Sequence, residues 1–75
     1  MKQQYQSLSL VAGANLNRLI KEANMKQEDA AEMLGYSDAR QIRRMIKDGI
    51  GKIDEIQRIA NLFNVPFNEM IKPLD

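Results

Sequence analysis

The sequence predicts an all-α domain of five short helices, and three observations carry that expectation. Of its 75 residues 44% are apolar, enough for one small core and no second, which excludes a multidomain enzyme. Eight Ile, seven Leu, seven Ala and five Met stand against two Val, two Tyr, two Phe and no Trp, a composition rich in helix formers and poor in strand formers. The apolar positions then recur at helical spacing between breaks at Gly, Asn and Pro.

Residues 1–9 are polar and read as an N-terminal arm, and residues 10–73 as a single domain. Ser9 is a candidate cap for the first helix, whose apolar positions Ala12, Leu16, Leu19, Ile20 and Ala23 share one face. Gly13 weakens the first turns by roughly 1 kcal/mol relative to Ala, which moves the expected start toward Ala14, and Asn24 suits the end. The second helix is expected over about 27–34, with Glu28, Asp29 and Glu32 toward its positive end, adjacent alanines at 30 and 31, and a stop at Gly35. A third is expected over about 38–47, capped by Asp38 in the capping-box spacing Asp38-Ala39-Arg40-Gln41 and anchored by Ile42, Met45 and Ile46. Ile53, Ile56, Ile59, Ala60 and Phe63 define a fourth ending near Asn64, and Pro66 starts a fifth that Pro73 ends.

With no Cys and no His there is no disulfide, no zinc site of the usual kind, no thiol nucleophile and no imidazole base, so no cofactor or metal is expected. The acidic pairs Glu28-Asp29 and Asp54-Glu55 are adjacent, so on helices they point apart and converge on no catalytic site; no enzyme is expected. Short, interrupted apolar runs and a polar start indicate neither a membrane span nor export, and with the absent disulfides they place the expected protein in the cytoplasm. Leu8, Leu10, Ile50, Leu62 and Leu74 are candidates for exposure and for a dimer contact, and Tyr5 with Leu8 and Leu10 for a short strand across a two-fold axis.

Net charge is only +1, but its distribution is uneven. Residues 27–34 carry three acidic side chains and no basic one, whereas 35–52 carry Arg40, Arg43, Arg44, Lys47 and Lys52 against Asp38 and Asp48. Two short helices joined through Gly35, the second with an apolar stripe and a basic outer face, make a helix-turn-helix. At about 100° per residue, Arg40 and Arg44 lie nearly opposite the stripe, Lys47 beside them, and Gln41 and Arg43 on the flanks. Arginine pairs with guanine O6/N7 and glutamine with adenine N6/N7 in the major groove, so Arg40, Gln41 and Arg44 are the candidate base readers. Arg43 and Lys47 are candidate phosphate contacts, and the amino ends of the second and third helices offer free N–H groups to phosphate. Asp38 is awkward near a phosphate and is read as a cap, and Tyr36 as a lid on the core.

The run Gln27-Glu28-Asp29-Ala30-Ala31-Glu32-Met33-Leu34-Gly35-Tyr36-Ser37, with Leu16 and Leu19 before it and Ile56, Ile59, Ala60, Phe63, Asn64, Val65, Pro66, Phe67, Met70 and Ile71 after it, resembles the lambda-repressor, Cro and Xre-like family of helix-turn-helix DNA-binding domains over about residues 12–71. The resemblance implies a five-helix domain that binds a double-stranded DNA operator, usually as a homodimer, and regulates transcription, most often as a repressor in a bacterium, phage or mobile element. Carried over by position, Gln27 meets phosphate at the start of the second helix and Lys52, in the loop before the fourth, approaches the other side of the backbone. The stretch from Gly35 to Gly49 is longer than the family's usual spacing, in the turn and at the end of the third helix. Ile20 and Ile46 stand where many relatives hold an Arg and Glu pair, an apolar replacement of both partners together. The alternative function is a protein-interaction module on the same scaffold, an antirepressor or antitoxin-like partner binder that does not read DNA; near-neutral charge, the lengthened turn and the arm favour it.

Overall fold

The computed structural model describes residues 7–74. They form five helices, α1 (Leu8–Glu22), α2 (Gln27–Leu34), α3 (Arg40–Asp48), α4 (Ile53–Leu62) and α5 (Phe67–Met70), with no strand among the described residues. Three helices end in the same way. The chain turns left-handed at Asn24, Gly35 and Asn64 (φ 58°, 87° and 61°), and the next amide reaches back to the last full turn, Met25 N–H to Ile20 O, Tyr36 N–H to Ala31 O and Val65 N–H to Ala60 O, at 2.9 to 3.1 Å. These are Schellman caps, with an apolar residue after each reversal closing over the helix it has left.

The core runs through the middle of the molecule, built from Leu16, Leu19 and Ile20 of α1, Ala30, Ala31 and Leu34 of α2, Ile42 and Met45 of α3, and Ile56, Ile59 and Ala60 of α4, closed by Met70. Ile20 is buried and Ile46 packs against the same cluster, so both positions belong to the apolar interior. Asn15 is the one buried polar side chain among the described residues. Its amide nitrogen donates to the Met70 and Lys72 carbonyls at 2.8 and 2.9 Å, and its oxygen accepts from Arg18 Nε at 3.2 Å. That amide ties the middle of α1 to the end of α5, leaving no polar atom of its own unsatisfied.

Several expectations change. α1 begins at Leu8, not at Leu10 or Ala14, because Ser7 rather than Ser9 is the cap: Ser7 Oγ accepts from the Ser9 and Leu10 amides. The described part of the expected arm is thus helical from Leu8 onward, and a strand built on Leu8 and Leu10 is excluded; Tyr5 lies outside the described residues. Gly13 does not mark a helix start. It sits inside α1 where the α3 backbone crosses, and a Cβ there would collide with the Met45 carbonyl oxygen and lie 3.4 Å from Gly49 Cα. Ile50, expected at the surface, is 3% exposed, whereas Ile53, expected in the α4 stripe, is 70% exposed. The reason is the loop: Gly49 adopts φ 102° and ψ 169°, open essentially to glycine alone, and lets the Ile50 amide bond the Ser9 carbonyl at 2.9 Å. This turns Ile50 inward and leaves Ile53 at the outer edge of the first α4 turn.

Candidate nucleic-acid interface

α2, the turn after it and α3 form the presenting surface. Gly35 reverses the chain with nothing within 4 Å of a Cβ built on it, so its left-handed backbone, rather than space, calls for glycine. Ile42 and Met45 bury the inner face of α3, with the cap residue Ala39 buried just before it. Arg40, Arg43, Arg44 and Lys47 are exposed and Gln41 is half-buried, so the separation of faces read from the sequence holds in three dimensions.

Arg40, Gln41 and Arg44 line one open groove together with Tyr36, Ser37 and Asp38. Lys52 lines an adjoining groove with the Gly49 to Gly51 loop, and Gln41 and Tyr36 border both. Arg43 and Lys47 stand outside the two grooves on exposed positions of α3, and Gln27 is the first residue of α2, half-buried. Among the described residues Arg43, Arg44, Lys47 and Lys52 make no ion pair within 4.0 Å. Glu28 and Glu32 of α2 border a further groove with Tyr36, Ser37 and Asp38, so the basic surface is bounded by an acidic one.

Two features were not apparent in the sequence. The first braces the turn to α4. Tyr36 donates its hydroxyl to Glu55, and Arg58 lies over the Tyr36 ring at 5.7 Å, bonds Glu55 through Nη2 at 2.7 Å and donates from Nη1 to the Leu34 carbonyl at 2.8 Å. A guanidinium thus satisfies an otherwise open carbonyl at the negative end of α2. Partial burial, then the Glu55 hydrogen bond and charge, push the Tyr36 phenol up to about 12. Burial works to raise the Glu55 carboxyl, but hydrogen bonds from Arg58 and Tyr36 with the charges of Arg58 and Lys52 outweigh it and hold the group below its ordinary value. The i, i+3 spacing of Glu55 and Arg58 was a visible signal, although nothing local joined them to Tyr36.

The second concerns Asp38. Asp38 is not the cap of α3 as expected: the cap position falls to Ala39, with no side-chain cap bond. Asp38, one residue earlier, accepts the Arg40 amide through Oδ1 at 2.9 Å, while the expected return bond from Gln41 is not among the hydrogen bonds of the described residues. The other oxygen, Oδ2, accepts Arg40 Nε at 3.1 Å and Nη2 at 2.9 Å. The side-chain bond and then the backbone bond from Arg40 hold the Asp38 carboxyl below its ordinary value.

Among the described residues no three His, Cys, Asp or Glu side chains gather as a metal site, and no helix is long and apolar enough to cross a membrane. A family model described as helix-turn-helix matches residues 16–70. No curated protein matches the chain. Among solved structures it is similar to the crystal structure of a hypothetical transcription factor, NHTF, from Neisseria, with a TM-score of 0.78 and 18% sequence identity over 97% of this chain and 84% of that one. At that identity the likeness is one of fold.

Proposed function

The chain belongs to the helix-turn-helix family, in its lambda-repressor, Cro and Xre-like branch, and from that premise we propose that it is a sequence-specific double-stranded DNA-binding regulator of transcription that inserts α3 into the major groove. The observation that carries this reading is the outward groove shared by Arg40, Gln41 and Arg44, three side chains able to pair with base edges, on a helix whose opposite face is locked into the core. Arg43, Lys47 and Lys52 flank it as phosphate contacts, with Gln27 at the amino end of α2. No residue has a catalytic part. We further propose that the protein binds its operator as a homodimer, matching a palindromic site, and represses by occupancy, competing with polymerase or another regulator for overlapping DNA in the cytoplasm.

The test is selection of bound duplexes from a random library, with titration of the selected and a scrambled duplex at two salt concentrations. An enriched palindrome whose binding weakens with salt supports the reading. A second reading, docking of a partner protein, is favoured by the acidic border of Glu28 and Glu32 beside the basic helix. No enrichment, with binding insensitive to salt, would move the function to that class.

A further inference from the structure

We propose that Asp38 is a specificity-determining residue, which holds Arg40 as a preformed fork for guanine and weakens attachment to DNA that lacks that base. The inference rests on the reading of α3 as the helix that enters the groove. One carboxylate grips Arg40 at both its root and its head. Oδ1 takes the main-chain amide at 2.9 Å, and Oδ2 takes Nε and Nη2 at 3.1 and 2.9 Å. A guanidinium has five N–H donors in a rigid plane. With its Nε/Nη2 edge spent on Asp38, the remaining Nη1/Nη2 edge is the fork that matches guanine O6 and N7. The pair is exposed, at 80% for the Arg40 side chain and 46% for Asp38, and it lines the groove that holds Gln41 and Arg44. It therefore lies where a base edge would arrive, free of the core.

Two consequences follow for recognition. Arg40 surrenders less side-chain freedom on meeting guanine, because its plane is already oriented. The carboxylate also cancels most of the arginine's attraction for phosphate, so Arg40 contributes little to sequence-independent binding and keeps its directional bonds for the correct base. Asp38 thus raises the ratio of specific to nonspecific affinity by lowering the second more than the first, which is discrimination through a repulsive element. An oxygen that only accepts the Arg40 amide has no need of a charge, since asparagine and serine side chains offer the same acceptor.

The experiment follows from that last point. Asp38→Asn keeps an oxygen for the Arg40 amide but removes the charge and the second acceptor for the guanidinium, and Asp38→Ser does the same with a smaller side chain. Each is compared with the unaltered protein on the selected duplex, on the same duplex with the Arg40 guanine replaced, and on random DNA over a salt series. For Asp38→Asn the expected result is tighter binding to random DNA with a steeper salt dependence, and a specific-to-random ratio reduced about tenfold. In an Arg40→Ala background the same change should leave the ratio unaltered. Melting curves that match the unaltered protein establish that the start of α3 is undisturbed, and Asp38→Ser replaces Asp38→Asn if they differ. An unchanged ratio, or an equal gain on specific and random DNA, would overturn the role of Asp38 while leaving DNA recognition intact. Failure of the unaltered protein to select any duplex would remove the premise and the inference together.

Discussion

The Met45 carbonyl of α3 lies against Gly13 of α1 so closely that there is no room for a side chain between them, and Gly49 Cα is 3.4 Å from where a Cβ would stand. The two backbones touch at this point, which fixes the depth at which α3 rests on the core and hence how far its outer face projects.

Gly13→Ala is accordingly expected to destabilise the domain. Helix propensity alone would give a gain of about 1 kcal/mol for this change, but overpacking costs typically about 1 to 3 kcal/mol, and the atom in the way is backbone, which cannot rotate aside. Urea denaturation should show a lower midpoint at unchanged slope. A raised midpoint would mean that α3 does not sit as close as described.

Arg44→Ala should cost about 1 to 3 kcal/mol on the preferred duplex and little on random DNA if Arg44 makes a bidentate base contact. Lys52→Ala should weaken both duplexes alike and reduce the slope of log affinity against log salt by about 0.9 if Lys52 neutralises one phosphate. Titrations of each variant over a salt series separate the two roles, and equal losses for Arg44→Ala on both duplexes would move it to the phosphate class.

The Tyr36, Glu55 and Arg58 brace should respond to pH at both ends. The Tyr36 phenol rises from 10.0 when unfolded to about 12 when folded, so the folded state holds that proton more tightly. Its contribution is fully present below pH 10 and fades as pH climbs toward 12. The Glu55 carboxyl is held below its ordinary 4.5, so its contribution is present above that value and is lost as pH falls through the lowered one. The chain has two tyrosines, Tyr5 and Tyr36, and the later component of phenolate absorbance should vanish in Tyr36→Phe. If the late component survived, Tyr36 would not be the residue held in the brace.

Asn15→Ala should lower stability by about 1 to 3 kcal/mol, the usual cost of leaving a buried polar group unpaired, here the Met70 carbonyl. Amide hydrogen exchange should speed up most in α5 and the middle of α1, since the bonds lost are those that join them. Uniform acceleration over all helices would show that the amide has no such local role.

Much of this was legible in the sequence because it is set locally. Gly35 and Asn24 stop helices through their tolerance of a left-handed backbone, and α2 stands over the residues that its apolar spacing and acidic first turn marked. The division of α3 into a buried stripe and a basic face follows from 100° per residue and survives intact. What was not legible depends on residues far apart in the chain. Gly13 reads as a weak helix former until α3 is laid across it, and Asn15 is an ordinary polar residue until Met70 and Lys72 reach it. Ile50 and Ile53 exchanged places because a loop backbone, rather than a period, decides which of them faces inward. Asp38 was read as a cap, but the cap position falls one residue later, and a rotamer of Arg40 decides where its second oxygen goes.

The bonds from Asn15 to Met70 and Lys72 span 55 and 57 positions. Contacts within α2, its turn and α3 close over short stretches of chain and can form early, whereas this tie waits until α5 and Lys72 have been made. During synthesis the recognition unit emerges well before the residues that satisfy the amide of α1. A nascent chain halted before Met70 would carry a helix-turn-helix on a core that cannot close, with the Asn15 amide still open to water. Closure of the core is thus coupled to the formation of α5.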